Sequence, residues 1–142
     1  MSMKFIPKDV YEVLEEICIV FIYSRGSDLR FERIETYFSE IEGGKYVPRT
    51  VLVDMEPSAL NSIKFGSLGI LFKPDNIVSE NTSTGNSFAK GHYSEGAEMV
   101  DSILEVIREE VEGCDSLQSF QLSHSIRGGT GSGLGTLVAL KL

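Results

Sequence analysis

The 142-residue chain contains no tryptophan, only two cysteines, and only 13 basic residues against 21 acidic ones. Its formal net charge of −8 argues against a nucleic-acid partner, because proteins that bind nucleic-acid phosphates cluster lysine and arginine. Cys18 and Cys114 form no CxxC pair, so the sequence indicates neither a zinc site nor a redox motif. Both thiols are expected to be reduced, as is usual in a cytosolic protein.

A long hydrophobic run is also lacking. The best apolar run, Ile17 to Tyr23, is far shorter than the ~20 residues that a membrane-spanning helix needs. It follows the acidic stretch EVLEE, whereas a signal peptide has a basic flank before its apolar core. The run is therefore predicted to be a buried strand, and no membrane partner is expected.

Strand and helix patterns alternate along the chain. Thr50–Val53 and Leu117–Leu122 are predicted to be buried parallel strands. Between them, apolar residues at helical spacing predict a helix that starts after Ser94 and ends near Gly113. The stretch from Glu42 to Arg49 is predicted to be a loop because of its paired glycines. Val10–Glu16 is predicted to be a short helix, and Ser24–Asp28 is predicted to be a turn. The layout predicts an α/β fold, a Rossmann-like parallel sheet with helices on both faces.

A glycine-rich loop follows the second predicted strand. Five of the chain's 14 glycines lie between His124 and Thr136, where a connection between strand and helix belongs. Glycines at such a turn let backbone N–H groups approach a phosphate, although a purely structural tight turn is the alternative. The loop has no Walker lysine, and its glycines do not follow the GxGxxG spacing. Positive charge must then come from elsewhere, most simply from Mg²⁺ held by Asp54 and Glu56 at the end of the first predicted strand.

Several segments resemble the tubulin family, and within it the β-tubulin branch. GGTGSG (Gly128 to Gly133) resembles the family's signature loop, and KGHYSEGAEMVDS and GCDSLQSFQLSHS resemble the β form. The resemblance runs from Ser27 to Leu140. It divides the chain into a divergent N-terminal segment, residues 1–26, and a partial tubulin-like GTP-binding domain, residues 27–142.

The resemblance implies a site for GTP or GDP and Mg²⁺ at the C-terminal ends of the strands. Glu56 matches the acidic residue that reaches Mg²⁺ and the phosphates, with Asp54 as a second candidate ligand. The positions that match phosphate-binding residues are Gly85, Asn86, Ser125, Gly129, Thr130 and Gly131. No catalytic residue is assigned, because the acidic loop that promotes hydrolysis in this family has no match here. His92 is expected to be structural, and for His124 both a site role and a packing role stay open.

Three departures from the family pattern stand out. The family's first strand, which is central in its sheet, and the nucleotide loop after it have no match, and only Ile17–Tyr23 could replace that strand. The guanine-reading part and the later domains have no match either. Arg127 stands where the family has glycine, and we expect strain there from a positive φ; pairing with a phosphate is the alternative.

The resemblance implies a GTP-binding structural constituent of microtubules in the cytoplasm and cytoskeleton, here truncated. Its expected partners are an α-tubulin-like subunit and the microtubule lattice. The alternatives are a fragment without independent GTP binding and a free-standing nucleotide hydrolase.

Overall fold

The computed structural model describes residues 17–23, 37–41 and 45–142. The described strands are β1 (Ile17–Tyr23), β2 (Phe38–Ile41), β3 (Lys45–Pro48), β4 (Thr50–Asp54), β5 (Ile77–Ser79) and β6 (Leu117–His124). The described helices are α1 (Pro57–Phe65), α2 (Phe88–Tyr93), α3 (Glu95–Glu112) and α4 (Gly135–Lys141), with short 3₁₀ turns at Gly69–Leu71 and Pro74–Asn76 and a π-helical turn at Thr130–Leu134.

The main sheet has four described strands in the order β5–β4–β1–β6. β4 and β5 are parallel, whereas β1 runs antiparallel to both β4 and β6. Consequently β4, β5 and β6 point in the same direction, and their C-terminal ends meet at one edge of the sheet. The predicted Rossmann-like α/β class is confirmed, with one reversed strand inside the sheet.

The apolar run from Ile17 to Tyr23 is a strand, as the sequence predicts. Its position between β4 and β6 is fixed by the pairing of Ile17 with Val53 on one side and with His124 on the other. The two predicted parallel strands are therefore parallel in direction but not hydrogen-bonded to each other. β1 is thus an inner strand of the described sheet and runs antiparallel to both of its neighbours.

β4 is buried on both faces, as its unbroken apolar pattern predicts. Val51 and Val53 pack into one core with buried residues of α3 and α4, whereas Leu52 packs on the other face against Leu60 and Ile63 of α1. Helices thus cover both faces of the sheet at β4. This buried strand ends at the edge of the sheet where the chain's polar loops begin.

β6 is not the fully buried strand that the sequence predicts. Gln118 and Ser119 are exposed, while Phe120 and Leu122 are partly buried against the core. The physical reason is that β6 is the last strand of the described sheet, so neighbouring side chains shield it from one side only, whereas β4 has a strand on each side and helices on both faces. Its middle therefore keeps solvent-exposed polar side chains.

The predicted loop from Glu42 to Arg49 is wrong in its second half. β3 pairs antiparallel with β2 in a separate two-stranded sheet, with Phe38 opposite Pro48. Proline is tolerated at the end of a short strand because no ladder N–H is needed from it there. The predicted helix Val10–Glu16 and turn Ser24–Asp28 lie outside the described residues.

α3 is the longest described helix and matches its sequence prediction. Ser94 occupies the N-cap position and Gly113 the C-cap position, although the Ser94 hydroxyl donates to the carbonyl of Lys90 instead of capping α3. Five residues of α3 are buried in the core: Gly96, Met99, Val100, Ile103 and Ile107. Among the residues described, no helix has the length and apolar character needed to cross a membrane.

Candidate functional site

Three polar segments start at the C-terminal edge of the sheet. They are the carboxylate end (residues 54–56) after β4, the Ser83 turn (residues 83–87) after β5, and the glycine loop (residues 125–131) after β6. β5 pairs directly with β4, whereas β1 separates β4 from β6. At a strand spacing of about 4.8 Å, the ends of β4 and β6 are roughly 10 Å apart, a gap that a phosphate group and a cation can span.

The carboxylate end presents two acidic residues in different environments. Asp54 is 4% exposed, and its Oδ1 accepts a hydrogen bond from the backbone N–H of Glu56 at 3.0 Å. Burial raises the pKa of Asp54, and the nearby Glu56 charge adds to this, against hydrogen bonds from the backbone of Glu56 and Met55. The Glu56 side chain is exposed. Asp54 therefore fixes the backbone of this end, and Glu56 offers its carboxylate outward.

The Ser83 turn is tied to that carboxylate. The Ser83 hydroxyl donates to Oε1 of Glu56 at 2.6 Å and accepts the backbone N–H of Gly85 at 3.2 Å. Gly85 and Asn86 both have left-handed backbone, with φ of 54° and 60°, and the N–H of Ser87 closes the turn on the carbonyl of Thr84 at 3.1 Å. This is the pattern of a type I′ turn, in which both central residues have positive φ.

The glycine loop packs directly on the Ser83 turn. A Cβ on Gly129 would lie 2.2 Å from the side chain of Thr84 and 2.7 Å from the carbonyl oxygen of Ser87, so no side chain fits there. A Cβ on Gly128 would lie 3.2 Å from Oδ1 of Asn86. The Gly-Asn pair and the glycine loop are thus neighbours, which is the juxtaposition that a shared phosphate site needs.

The glycine loop continues into a π-helical turn and then α4. The N–H groups of Gly133 and Leu134 both donate to the carbonyl of Gly129, at 2.9 and 3.2 Å. Single π turns occur often at functional sites, and the first N–H groups of a helical segment have no partner within it. Thr130 is only 6% exposed, so its side chain belongs to the packed base of the loop.

Two histidines brace this region. Nδ1 of His124 lies 2.9 Å from the carbonyl of Gly131 and 3.0 Å from that of Ser125; because both are acceptors, Nδ1 must donate. Nδ1 of His92 lies 3.1 Å from the carbonyl of Gly133, and its ring stacks on Phe88. His92 thus has the structural contacts expected of it. Of the two roles open for His124, these contacts favour support of the loop.

The expectation of backbone strain at Arg127 is wrong. Among the described residues other than glycine, only Asn86 has a positive φ, and in the glycine loop it is Gly128, with φ of 82°, that takes the left-handed conformation. The N–H of Arg127 donates to the hydroxyl of Ser125 at 3.1 Å, and its side chain is exposed. The arginine therefore occupies an ordinary backbone position at the rim of the site.

The structure brings the residues singled out in the sequence to one edge, and it adds others. Glu56 and Gly85 both hydrogen-bond to Ser83, and Asn86 follows Gly85 in the same turn. Ser125 and Gly131 are in contact within the glycine loop. The polar loop from Ser79 to Ser87 is recognisable in the sequence as one that could wrap an anion, but the sequence assigns no individual role to Ser83 or Thr84. The signal available was the serine itself, because serine hydroxyls before a turn often accept the backbone N–H two residues on, as Ser83 does from Gly85.

The donor atoms at this edge fit Mg²⁺ that is shared with a phosphate ligand. No group of three or more histidine, cysteine or acidic side chains that could hold a metal occurs in the described part of the chain. Mg²⁺ bound with phosphates typically takes only one or two carboxylates and keeps several waters. The exposed Glu56 carboxylate meets that requirement, whereas the buried carboxyl of Asp54 is already engaged by a backbone N–H.

The chain is similar in sequence to a known protein family and to several of its members. A sequence model described as Tubulin/FtsZ family, GTPase domain, matches residues 7–142. The chain is 57% identical over 120 residues to the tubulin beta-4B chain of Mesocricetus auratus, covering 84% of this chain and 41% of that protein. It is 55% identical over 121 residues to the tubulin beta chain of Coprinopsis cinerea, covering 85% and 27% respectively. The chain therefore spans less than half the length of these relatives.

Proposed function

Because the chain belongs to the Tubulin/FtsZ family, we propose that its three converging segments bind the phosphates of GTP or GDP together with Mg²⁺. The observation that carries the proposal is the contact chain from Glu56 through Ser83 and the type I′ turn to Gly129. It links a carboxylate, a left-handed Gly-Asn pair and a glycine loop at one edge of a sheet. Open α/β sheets bind ligands at such an edge.

Each segment has a separate role in this proposal. The glycine loop, including Gly129, Thr130 and Gly131, offers backbone N–H groups to phosphate oxygens at the start of a helical segment, with the Ser125 hydroxyl beside it. Gly85 and Asn86 approach the terminal phosphate. Glu56 would hold Mg²⁺, which neutralises phosphate charge, and Asp54 would hold the backbone of Glu56 in place.

The direction of β1 favours weak binding by this chain. Because β1 is antiparallel to β4 and β6, its C-terminal residue Tyr23 pairs with Leu117 at the edge opposite the site. The C-terminal end of β1 is therefore far from the proposed phosphates, whereas the resemblance implies that the family's first strand ends beside them. This is the observation behind the second candidate, a fragment that does not bind GTP tightly or hydrolyse it by itself.

The proposed cellular role is that of a β-tubulin-like component of microtubules in the cytoplasm, with an α-tubulin-like partner. Two relatives named as tubulin beta chains support it. An apolar side chain in the glycine loop, Ile126, is 87% exposed beside the proposed phosphates, and a protein partner over the site would cover it.

Isothermal titration of the 142-residue chain with GTP and Mg²⁺ tests the proposal. We expect Mg²⁺-dependent binding that is weaker than micromolar and that is lost in Glu56→Gln, while the control Glu105→Gln on the exposed face of α3 binds like the parent. No Mg²⁺-dependent heat at millimolar GTP would overturn the phosphate site. Micromolar or tighter binding with preference over ATP would instead overturn the fragment alternative.

A further inference from the structure

We propose that Ser83 is the positioning residue that sets the Glu56 carboxylate for a divalent cation. The inference rests on the proposed magnesium–nucleotide site. It goes beyond that proposal because neither the sequence pattern nor the family resemblance assigns Ser83 a role.

The Ser83 hydroxyl makes two hydrogen bonds at once. Ser83 Oγ donates its only proton to Oε1 of Glu56, at 2.6 Å, and uses a lone pair to accept the N–H of Gly85, at 3.2 Å. The second bond fixes the hydroxyl relative to the backbone of the type I′ turn. The direction in which Ser83 donates is therefore set by the turn and not by free rotation of the side chain.

The hydrogen bond from Ser83 engages only one of the two oxygens of the Glu56 carboxylate. Glu56 is exposed and has three rotatable side-chain bonds, so it would otherwise sample many orientations. With Oε1 held by Ser83, Oε2 is left without a described hydrogen bond and is available to coordinate a hard cation such as Mg²⁺. A carboxylate whose own hydrogen bond is satisfied by a neighbouring side chain is the usual arrangement around protein metal sites.

The Ser83 turn also packs against the glycine loop. Thr84, the residue next to Ser83, fills the space beside Gly129, and Asn86 lies against Gly128. The turn that orients Ser83 is thus packed on the loop proposed to hold the phosphates. A cation on Glu56 and a phosphate on the glycine loop would be placed relative to each other through these few residues.

The experiment measures Mn²⁺ binding to the full 142-residue chain, since Mn²⁺ shares the oxygen preference of Mg²⁺ and is paramagnetic. The electron paramagnetic resonance signal of free Mn²⁺ gives the dissociation constant, and relaxation of the Gly85 amide signal locates the ion. Titrations are made without nucleotide and then with GTP. The variants are Ser83→Ala, Ser83→Thr and, as control, Ser62→Ala, which removes an exposed hydroxyl that donates to Ser58 on α1.

We expect Ser83→Ala to weaken Mn²⁺ binding by about threefold to tenfold, the size expected for one exposed charge-assisted hydrogen bond. Ser83→Thr keeps the hydroxyl and should bind within about twofold of the parent, as should Ser62→Ala. In a Glu56→Gln background, Ser83→Ala should cause no further loss, because its effect acts through that carboxylate.

Three results would overturn the positioning role. They are Mn²⁺ binding that does not depend on Glu56, binding by Ser83→Ala that is unchanged or tighter, and an equal loss from Ser83→Ala in the Glu56→Gln background. Failure of the proposed function looks different: Mn²⁺ binds in a manner that depends on Ser83 and Glu56, but GTP neither binds nor strengthens it.

Discussion

β4 and β6 end at the same edge of the sheet, yet they support the site in different ways. β4 is buried on both faces and delivers side-chain carboxylates at its end. β6 is half-exposed and delivers a backbone loop rich in glycine. β4, which ends in the carboxylates, is thus the strand that is packed into the core on both faces. The loop after β6 is held instead by its own contacts with the Ser83 turn and with His124.

The largest expected effect is a difference between β4 and β6 in how much a leucine contributes to the free energy of unfolding. Leu52→Ala on β4 removes a side chain with 0% exposure, and it should lower the free energy of unfolding by about 2–5 kcal/mol. Leu122→Ala on β6 is the matched change at a partly buried leucine and should cost about 1–2 kcal/mol. Urea unfolding followed by circular dichroism gives both values. Equal losses would show that β6 is as firmly packed as β4.

A second prediction tests whether packing on the Ser83 turn holds the glycine loop. Gly129→Ala places a methyl group 2.2 Å from Thr84, so it should destabilise the chain by about 1–3 kcal/mol and abolish the GTP-dependent heat. The control is Gly113→Ala at the end of α3, where an added Cβ would come no closer than 3.5 Å to the carbonyl oxygen of Glu110 and φ is −74°, so stability should be unchanged or slightly raised. If Gly129→Ala behaved like the control, the loop and the turn would not be in contact.

A third prediction separates Arg127 from its neighbour. Gly128→Ala forces a side chain into φ of 82° and should cost about 1–2 kcal/mol. Arg127→Ala, at an exposed position without positive φ, should change stability by less than about 0.5 kcal/mol. Thermal unfolding of the two variants checks this directly. A large gain from Arg127→Ala would mean that the strain lies at the arginine after all.

The smallest expected effect is a pH dependence at the carboxylate end. Burial raises the folded-state pKa of Asp54 above its ordinary value of 3.8, so the folded state binds this proton more tightly than the unfolded state does. The ionised carboxylate therefore costs stability at neutral pH, and the cost disappears as the pH falls through the raised pKa towards 3.8. The stability of Asp54→Asn relative to the parent should accordingly be greater at pH 7 than at pH 4. Urea unfolding without divalent metal measures this difference, and a difference that shrinks with rising pH would contradict the assignment.

The sequence was informative where one pattern had one physical cause. The unbroken apolar run of Thr50–Val53 predicted a strand covered on both faces, and the helical spacing that ends near Gly113 predicted α3. The burial of the outermost described strand, β6, was harder to predict. Whether Leu117–Leu122 is buried depends on how many strands flank it, and that number is not encoded in its own residues.

The direction of β1 and the contacts between the loops could not be predicted from the sequence pattern either. An apolar run such as Ile17–Tyr23 predicts a strand but contains no signal for whether it lies parallel or antiparallel to its neighbours. The hydrogen bond between Ser83 and Glu56 joins residues far apart in the chain, so it depends on β5 lying beside β4. Likewise, the choice between Arg127 and Gly128 for the left-handed position follows from how the loop meets Asn86.

The central claim is that the segments after β4, β5 and β6 form one phosphate site. Backbone amide shift mapping of the 142-residue chain with GTP and Mg²⁺ tests it most directly. We expect the amides of Glu56, Asn86 and Thr130 to shift together along a single binding curve, while amides at the opposite edge, such as Leu117, stay in place. Shifts confined to one of the three segments, or centred on the opposite edge, would contradict the account.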